Sequence, residues 1–236
     1  MQTIATRERL IFALDVPDEA RARALVETLG ESVQFYKLGL ELLMSGGYFR
    51  LLDWLAERGK RLFVDLKLYD IPATVAAAIR GLNGRGVTFT TVHGHHSIME
   101  AAAAAARDVK VLAVTVLTSF DRGDLDELGG GGDVEQLVLS RARRARAAGC
   151  AGVIASGLEA PALKREFGDQ LLLVTPGIRP ADSRREDDQK RVLTVSAAFA
   201  AGADYIVVGR PIRDATDPRA AATAIQATIA AACGSG

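Results

Sequence analysis

The residues best equipped for chemistry fall in Arg61–Thr74, which reads RLFVDLKLYDIPAT. An apolar run, Leu62-Phe63-Val64, leads into Asp65, Lys67 and Asp70, and Ile71-Pro72 then ends a strand and opens a helix. Alternate residues of a strand face the same side, so the spacing offers Asp65 and Lys67 together and turns Leu66 away. Two opposite charges are thus offered to one site. The bland alternative is an exposed salt bridge at a strand end. Such pairs stabilise little, and this one closes a strongly hydrophobic strand, which favours a site.

The elements that must position these charges recur along the chain. Apolar runs at Leu10–Leu14, Val33–Gly39, Leu62–Val64, Val87–Val92, Lys110–Val116, Gly152–Ala155, Leu171–Val174 and Tyr205–Val208 read as eight strands. Helical stretches follow, at about 17–29, 40–58 (with a break at Gly46-Gly47), 72–83, 101–106, 134–148, 159–167 and 218–232. Strands alternating with helices demand a parallel sheet, and eight such units close an α/β TIM (β/α)8 barrel, here one domain over residues 1–236. In that fold the strand C-terminal ends share one face, where the following loops build the active site. Asp15, Lys37, Asp65, Lys67, Thr118, Ser156, Gly177 and Arg210 are expected to meet there.

Two late loops look built for phosphate. Pro176-Gly177-Ile178-Arg179 and Gly209-Arg210-Pro211 follow strands seven and eight, the usual barrel phosphate position, and pair a close-approach glycine with a guanidinium. The alternative is that these glycines only turn the chain. His93, His95 and His96 raise the question of a metal, but adjacent histidines seldom chelate together on regular backbone. The preferred reading has His93 capping strand four through a hydrogen bond and the other two starting a helix; no metal is expected. Gly129–Gly132 lacks the lysine of a P-loop and reads as a flexible connection. Arg141, Arg143, Arg144 and Arg146 read as the solvated face of a helix, and Trp54 with Leu51, Leu52 and Leu55 as packing against the barrel.

Composition narrows the partners. Lys+Arg 29 against Asp+Glu 29 gives no basic footprint for nucleic acid or a membrane surface. A 49% hydrophobic content can fill a large core. Cys150 and Cys233 lie far apart without CxxC spacing, as expected in a reducing compartment. The first fifteen residues read as neither signal peptide nor membrane span, so the cytoplasm is the expected location.

The segments FALD, YKLG, VDLKLYDIPAT, VTVLTS, TPGIRP and DYIVVGRPI, in this order along nearly the whole chain, resemble the orotidine 5′-phosphate decarboxylase family of pyrimidine biosynthesis. The resemblance implies a charge array of Lys37, Asp65, Lys67 and Asp70 in a homodimer, with Asp70 and Thr74 reaching the site from the partner subunit. It implies ribose contacts at Asp15 and Lys37 and pyrimidine contacts at Thr118 and Ser119. Phosphate contacts fall on Arg179, Gln189, Gly209 and Arg210 beside Pro176 and Gly177. The substrate would be a nucleoside monophosphate, with the segment Pro180–Gln189 as a lid. Loss of CO₂ from the pyrimidine C6 leaves a carbanion in the ring plane, beyond reach of the π-system, so an electron-sink cofactor has nothing to do and none is expected. The nearest rivals share the Asp-x-Lys-x-x-Asp motif: hexulose-phosphate synthase and keto-gulonate-phosphate decarboxylase, which use magnesium. DIP, TPGIR with Gln189, and GRPI favour the cofactor-free enzyme. A non-catalytic sensor of phosphate ligands is disfavoured by the cost of packing charges together.

Overall fold

Period-two alternation gives this chain two hydrophobic cores from one set of strands. Phe35, Phe63, Phe89, Leu112, Val174 and Tyr205 point inward and fill the barrel, whereas Tyr36, Leu62, Val64 and Val92 point outward against helices. The computed structural model describes residues 4–117, 123, 133–179 and 192–234. Its strands are β1 (Leu10–Ala13), β2 (Phe35–Leu38), β3 (Arg61–Leu68), β4 (Val87–His93), β5 (Lys110–Val114), β6 (Gly152–Ile154), β7 (Leu172–Thr175) and β8 (Tyr205–Val208). They pair in parallel in sequence order, and β8 closes on β1. The expected TIM barrel is therefore the observed one.

The inner core is aromatic. Phe89 lies 5.2 Å from Phe35, 6.0 Å from Phe63 and 5.2 Å from Tyr205, mostly edge to face. Each buried ring contributes about 1.5–3 kcal/mol of transfer free energy, plus a smaller term for ring geometry.

Around the barrel run α1 (Glu19–Leu29), α2 (Leu40–Met44), α3 (Tyr48–Glu57), α4 (Pro72–Leu82), α5 (His96–Ala105), α6 (Val134–Ala147), α7 (Ala160–Phe167), α8 (Val195–Ala200), α9 (Arg210–Arg213) and α10 (Pro218–Cys233). Asp18 and Asp217 cap α1 and α10 by accepting backbone N–H groups, and Pro72 and Pro218 supply the preset φ of a first turn. The break at Gly46-Gly47 separates α2 from α3 as expected. Sequence reasoning named no helix between the seventh and eighth strands. Residues VSAAFA form the short α8, started by Thr194, whose side chain accepts from the Ala197 N–H. Six residues are too few to print a helical period. Among the described residues, no helix is long and apolar enough to cross a membrane.

Two expectations, for Arg141 and His93, differ from what the fold shows. Arg141 on α6 is partly buried: it packs against Gly94 and donates to the Thr115 carbonyl, while Arg143, Arg144 and Arg146 are exposed. Trp54, partly buried, packs against the core with Leu51, Leu52 and Leu55 as expected, and its ring also lies 4.6 and 3.9 Å from the guanidinium groups of Arg23 and Arg58. His93 ends β4 with its ring 4.9 Å from that of Tyr69, so it meets an aromatic ring where a hydrogen-bonded cap was expected. His95 and His96 do start α5; His95 lies 3.2 Å from the Tyr69 hydroxyl and His96 3.3 Å from Glu100. Gly129–Gly132 lies outside the described residues.

Candidate active site

On β1 to β4 the inward line continues at the C-terminal face into a polar residue, at Asp15, Lys37, Asp65 and Thr91. Phe35 on β2 is followed two residues later by Lys37, and Phe63 on β3 by Asp65, so the aromatic core is roofed by charge. Lys37 Nζ sits 3.1 Å from Asp15 Oδ1 and 3.5 Å from Asp65 Oδ2; Lys67 Nζ sits 3.0 Å from the same Asp65 Oδ2. The second Asp65 oxygen accepts from the buried Thr91 hydroxyl at 2.8 Å. Burial works against both central charges, yet opposite charges outweigh it. Asp65 is held below the usual carboxylate range by Lys37 and Lys67 and by hydrogen bonds from Lys67 and Thr91. Lys37 is held above the usual lysine value by Asp65 and Asp15.

Lys67 arrives at this point by an unexpected route. Val64 pairs with Thr90 and Leu68 with Val92, so β3 spends four residues where β4 spends two. Within that bulge Lys67 has φ +48°, the one positive φ at a described non-glycine residue, and its N–H donates to Thr91 Oγ1 at 3.0 Å. A left-handed residue other than glycine costs about 1–3 kcal/mol. Asp65 and Lys67 do meet, but a strained backbone joins them, and regular alternation alone does not.

Glycine matters at two places. A Cβ on Gly39 would lie 3.2 Å from Asp15 Oδ1 and 3.3 Å from Lys37 Nζ, crowding their ion pair. Gly177, which lines the cavity, has φ +78°, a backbone conformation that favours glycine.

These residues surround a cavity of about 460 Å³ at the barrel's C-terminal end. Asp15, Lys37, Asp65 and Lys67 form its charged floor; Pro176, Gly177, Arg179, Gly209 and Arg210 form one rim; Phe63, Val114, Val116, Leu117, Ile154 and Val207 give an apolar wall. A ligand that joins an apolar part to an anionic group fits this lining.

Of the residues singled out from the sequence, nine line this cavity: Asp15, Lys37, Asp65, Lys67, Pro176, Gly177, Arg179, Gly209 and Arg210. Ser156 is buried, its hydroxyl accepting from the Leu158 N–H, and is not among the lining residues. Asp70 and Thr74 are exposed and do not line the cavity of their own chain; Asp70 accepts from the Ile71 N–H at 2.6 Å. Thr118, Ser119, Gln189 and the lid segment Pro180–Gln189 lie outside the described residues. Sequence reasoning missed Thr91 and Arg213. Thr91 could have been found, because it follows inward-facing Phe89 by two residues on the strand beside Asp65. Arg213 lines the cavity, donates to the Asp15 carbonyl at 2.8 Å and grips Asp214 with two nitrogens; one turn of helix gives no period to reveal it.

Comparison with known proteins bears on the family of the chain. The family model described as Orotidine 5′-phosphate decarboxylase / HUMPS family matches residues 8–225. An orotidine 5′-phosphate decarboxylase of Methylococcus capsulatus is 60% identical over 226 residues, 96% of this chain and 93% of that one. Another, of Stenotrophomonas maltophilia, is 57% identical over 227 residues, covering 95% and 94%. The crystal structure of orotidine 5′-phosphate decarboxylase from Lactobacillus acidophilus matches with a TM-score of 0.82 at 36% identity, over 94% of this chain and 99% of that one. Identity of this extent along nearly the whole sequence decides the lineage: the chain belongs to the orotidine 5′-phosphate decarboxylase / HUMPS family.

Proposed function

We propose that this chain, a carboxy-lyase by its family and relatives, converts orotidine 5′-monophosphate to uridine 5′-monophosphate in pyrimidine biosynthesis without a cofactor. The family model pools two branches, and the names of the Methylococcus and Stenotrophomonas relatives favour the decarboxylase over the magnesium-dependent rivals. The observation that carries the mechanism is the run Lys37–Asp65–Lys67, linked at 3.5 and 3.0 Å on the cavity floor.

In this reading the pyrimidine lies along the apolar wall, the phosphate meets Arg179, Arg210 and the backbone at Gly177 and Gly209, and the ribose hydroxyls meet Asp15 and Lys37. The ring then presents C6 to Lys67. As the C–C bond breaks, its electron pair stays on C6, and the Lys67 ammonium faces that charge before giving C6 its proton. Asp65 stands against the substrate carboxylate. Two unit charges about 4 Å apart interact by roughly 4 kcal/mol at an effective dielectric near 20, and this repulsion disappears with CO₂. Its main service is to hold Lys67, because it already shares an oxygen with both ammonium groups. Phosphate binding, remote from C6, supplies energy to order the loops around the site.

The array is completed in a homodimer, with Asp70 and Thr74 given to the neighbouring site. Supporting this, both are exposed on a turn whose Tyr69 and Ile71 are 61% and 65% exposed, an apolar surface suited to a two-fold contact. One domain over residues 1–236 carries the whole activity in the cytoplasm, where its two free cysteines, Cys150 and Cys233, stay reduced. Purified protein treated with a chelator is expected to deplete the absorbance of orotidine 5′-monophosphate at an undiminished rate. Loss of activity that returns with magnesium would assign the chain to the other branch.

A further inference from the structure

The proposed chemistry needs Asp65 and Lys67 at fixed positions, yet Lys67 stands on a strained bulge and carries a flexible side chain. Something must hold both. Thr91, on the adjacent β4, has no exposed surface, and its hydroxyl touches both residues: it lies 2.8 Å from Asp65 Oδ1 and 3.0 Å from the Lys67 backbone nitrogen. The direction of each bond is fixed by chemistry. A backbone N–H can only donate, so Thr91 Oγ1 accepts from Lys67, and its single proton goes to the carboxylate. The result is a directed relay, N–H to O–H to carboxylate, in which each bond polarises the next. The β-branched side chain has few χ1 choices, which presets the hydroxyl before substrate arrives.

We infer that Thr91 is a positioning residue of the reaction: its hydroxyl fixes the Asp65 carboxylate and, by holding the left-handed backbone of Lys67, sets where the ammonium stands. The inference rests on the assignment of Asp65 and Lys67 to the reacting centre. It adds a residue that touches no substrate and explains how the bulge in β3 is held in place. A purely structural Thr91 would tie β3 to β4 and nothing more.

The test compares Thr91→Val, Thr91→Ser, Thr91→Ala and Lys67→Ala in steady-state decarboxylation across pH. Thr91→Val keeps shape and removes the hydroxyl; kcat should fall about 10- to 100-fold, the range for a hydrogen bond to a charged group, with KM changed less than about threefold. Because the lost hydrogen bond favours ionised Asp65, the acid limb of kcat/KM should move to higher pH. Thr91→Ser should recover most of the activity and return the limb. Serine and alanine both lack the methyl group, so their ratio isolates the hydroxyl even if the valine protein folds poorly. The inference is overturned if Thr91→Ala matches Thr91→Ser in kcat and acid limb while Lys67→Ala is inactive. If Lys67→Ala is itself as active as wild type, the reading of the whole site fails instead.

Discussion

The two ends of β3 make opposite uses of charge. At its start Arg61 lies 4.8 Å from the Phe35 ring and pairs with Glu8, closing the barrel floor over packed aromatic rings. At its finish Lys67 holds Asp65 from a strained backbone, keeps 35% of its side chain exposed and borders a cavity of about 460 Å³. The first end spends its charges on closing the fold. The second keeps them desolvated, partly uncovered and strained, an arrangement that a stability argument does not explain but a ligand does. Placement along one strand thus separates charges that close the barrel from charges that border its cavity.

This contrast can be broken most sharply by exchanging the two lysine or arginine ends for alanine. On the proposed mechanism, Lys67→Ala removes both electrostatic stabilisation and the proton donor and should lower kcat by at least about 10⁴-fold, while the thermal midpoint stays near that of wild type. A turnover within tenfold of wild type would remove Lys67 from the chemistry. Arg210→Ala should raise KM for the nucleotide by about 100-fold and change turnover of the phosphate-free nucleoside far less; equal losses on both would give Arg210 another role. Arg61→Ala is the counterpart: loss of its ring contact and partly exposed ion pair costs about 1 kcal/mol, or roughly 2–4 °C at this chain length, with kcat kept within about twofold. A large fall in kcat there would erase the distinction between the ends.

The smallest effect concerns pH. Asp65 is held below its ordinary value of 3.8 in the fold, so its ionised form stabilises the native state in full above that value, and the contribution is lost as pH falls through the lower folded value. Chemical denaturation of wild type and Asp65→Asn should therefore show a constant stability difference from pH 9 to about 5, then a shift against wild type below about pH 4. A difference that drifts steadily between pH 9 and 5 would mean that another group governs the array.

The barrel was legible because its signal is repeated: eight apolar runs, each with a polar residue at its end, need only period and order to be read. Asp15, Lys37, Asp65 and the two glycine-arginine loops were legible for the same reason, each sitting at a strand terminus. What stayed hidden was local. The meeting of Asp65 with Lys67 followed from alternation on paper, but the strand bulges there, and the hydrogen bond from Lys67 to Thr91 that accompanies the bulge belongs to a neighbouring strand. Arg141 reads as solvated from its helix position, which says which way a Cβ points and not how far a long side chain folds back. The short α8 and α9 fell below the length at which periodicity speaks.

The central claim is that the open end of β3 becomes a working site only when a second subunit adds Asp70. Mixing Lys67→Ala protein with Asp70→Ala protein tests it directly. In a mixed dimer one site collects both lesions and the other joins an intact Lys67 to an intact Asp70. With random exchange half the dimers are mixed and half their sites are whole, so two nearly inactive proteins should together recover about a quarter of wild-type activity. If subunit exchange is demonstrated and the mixture remains no more active than its parents, Asp70 serves its own chain and the shared site is wrong.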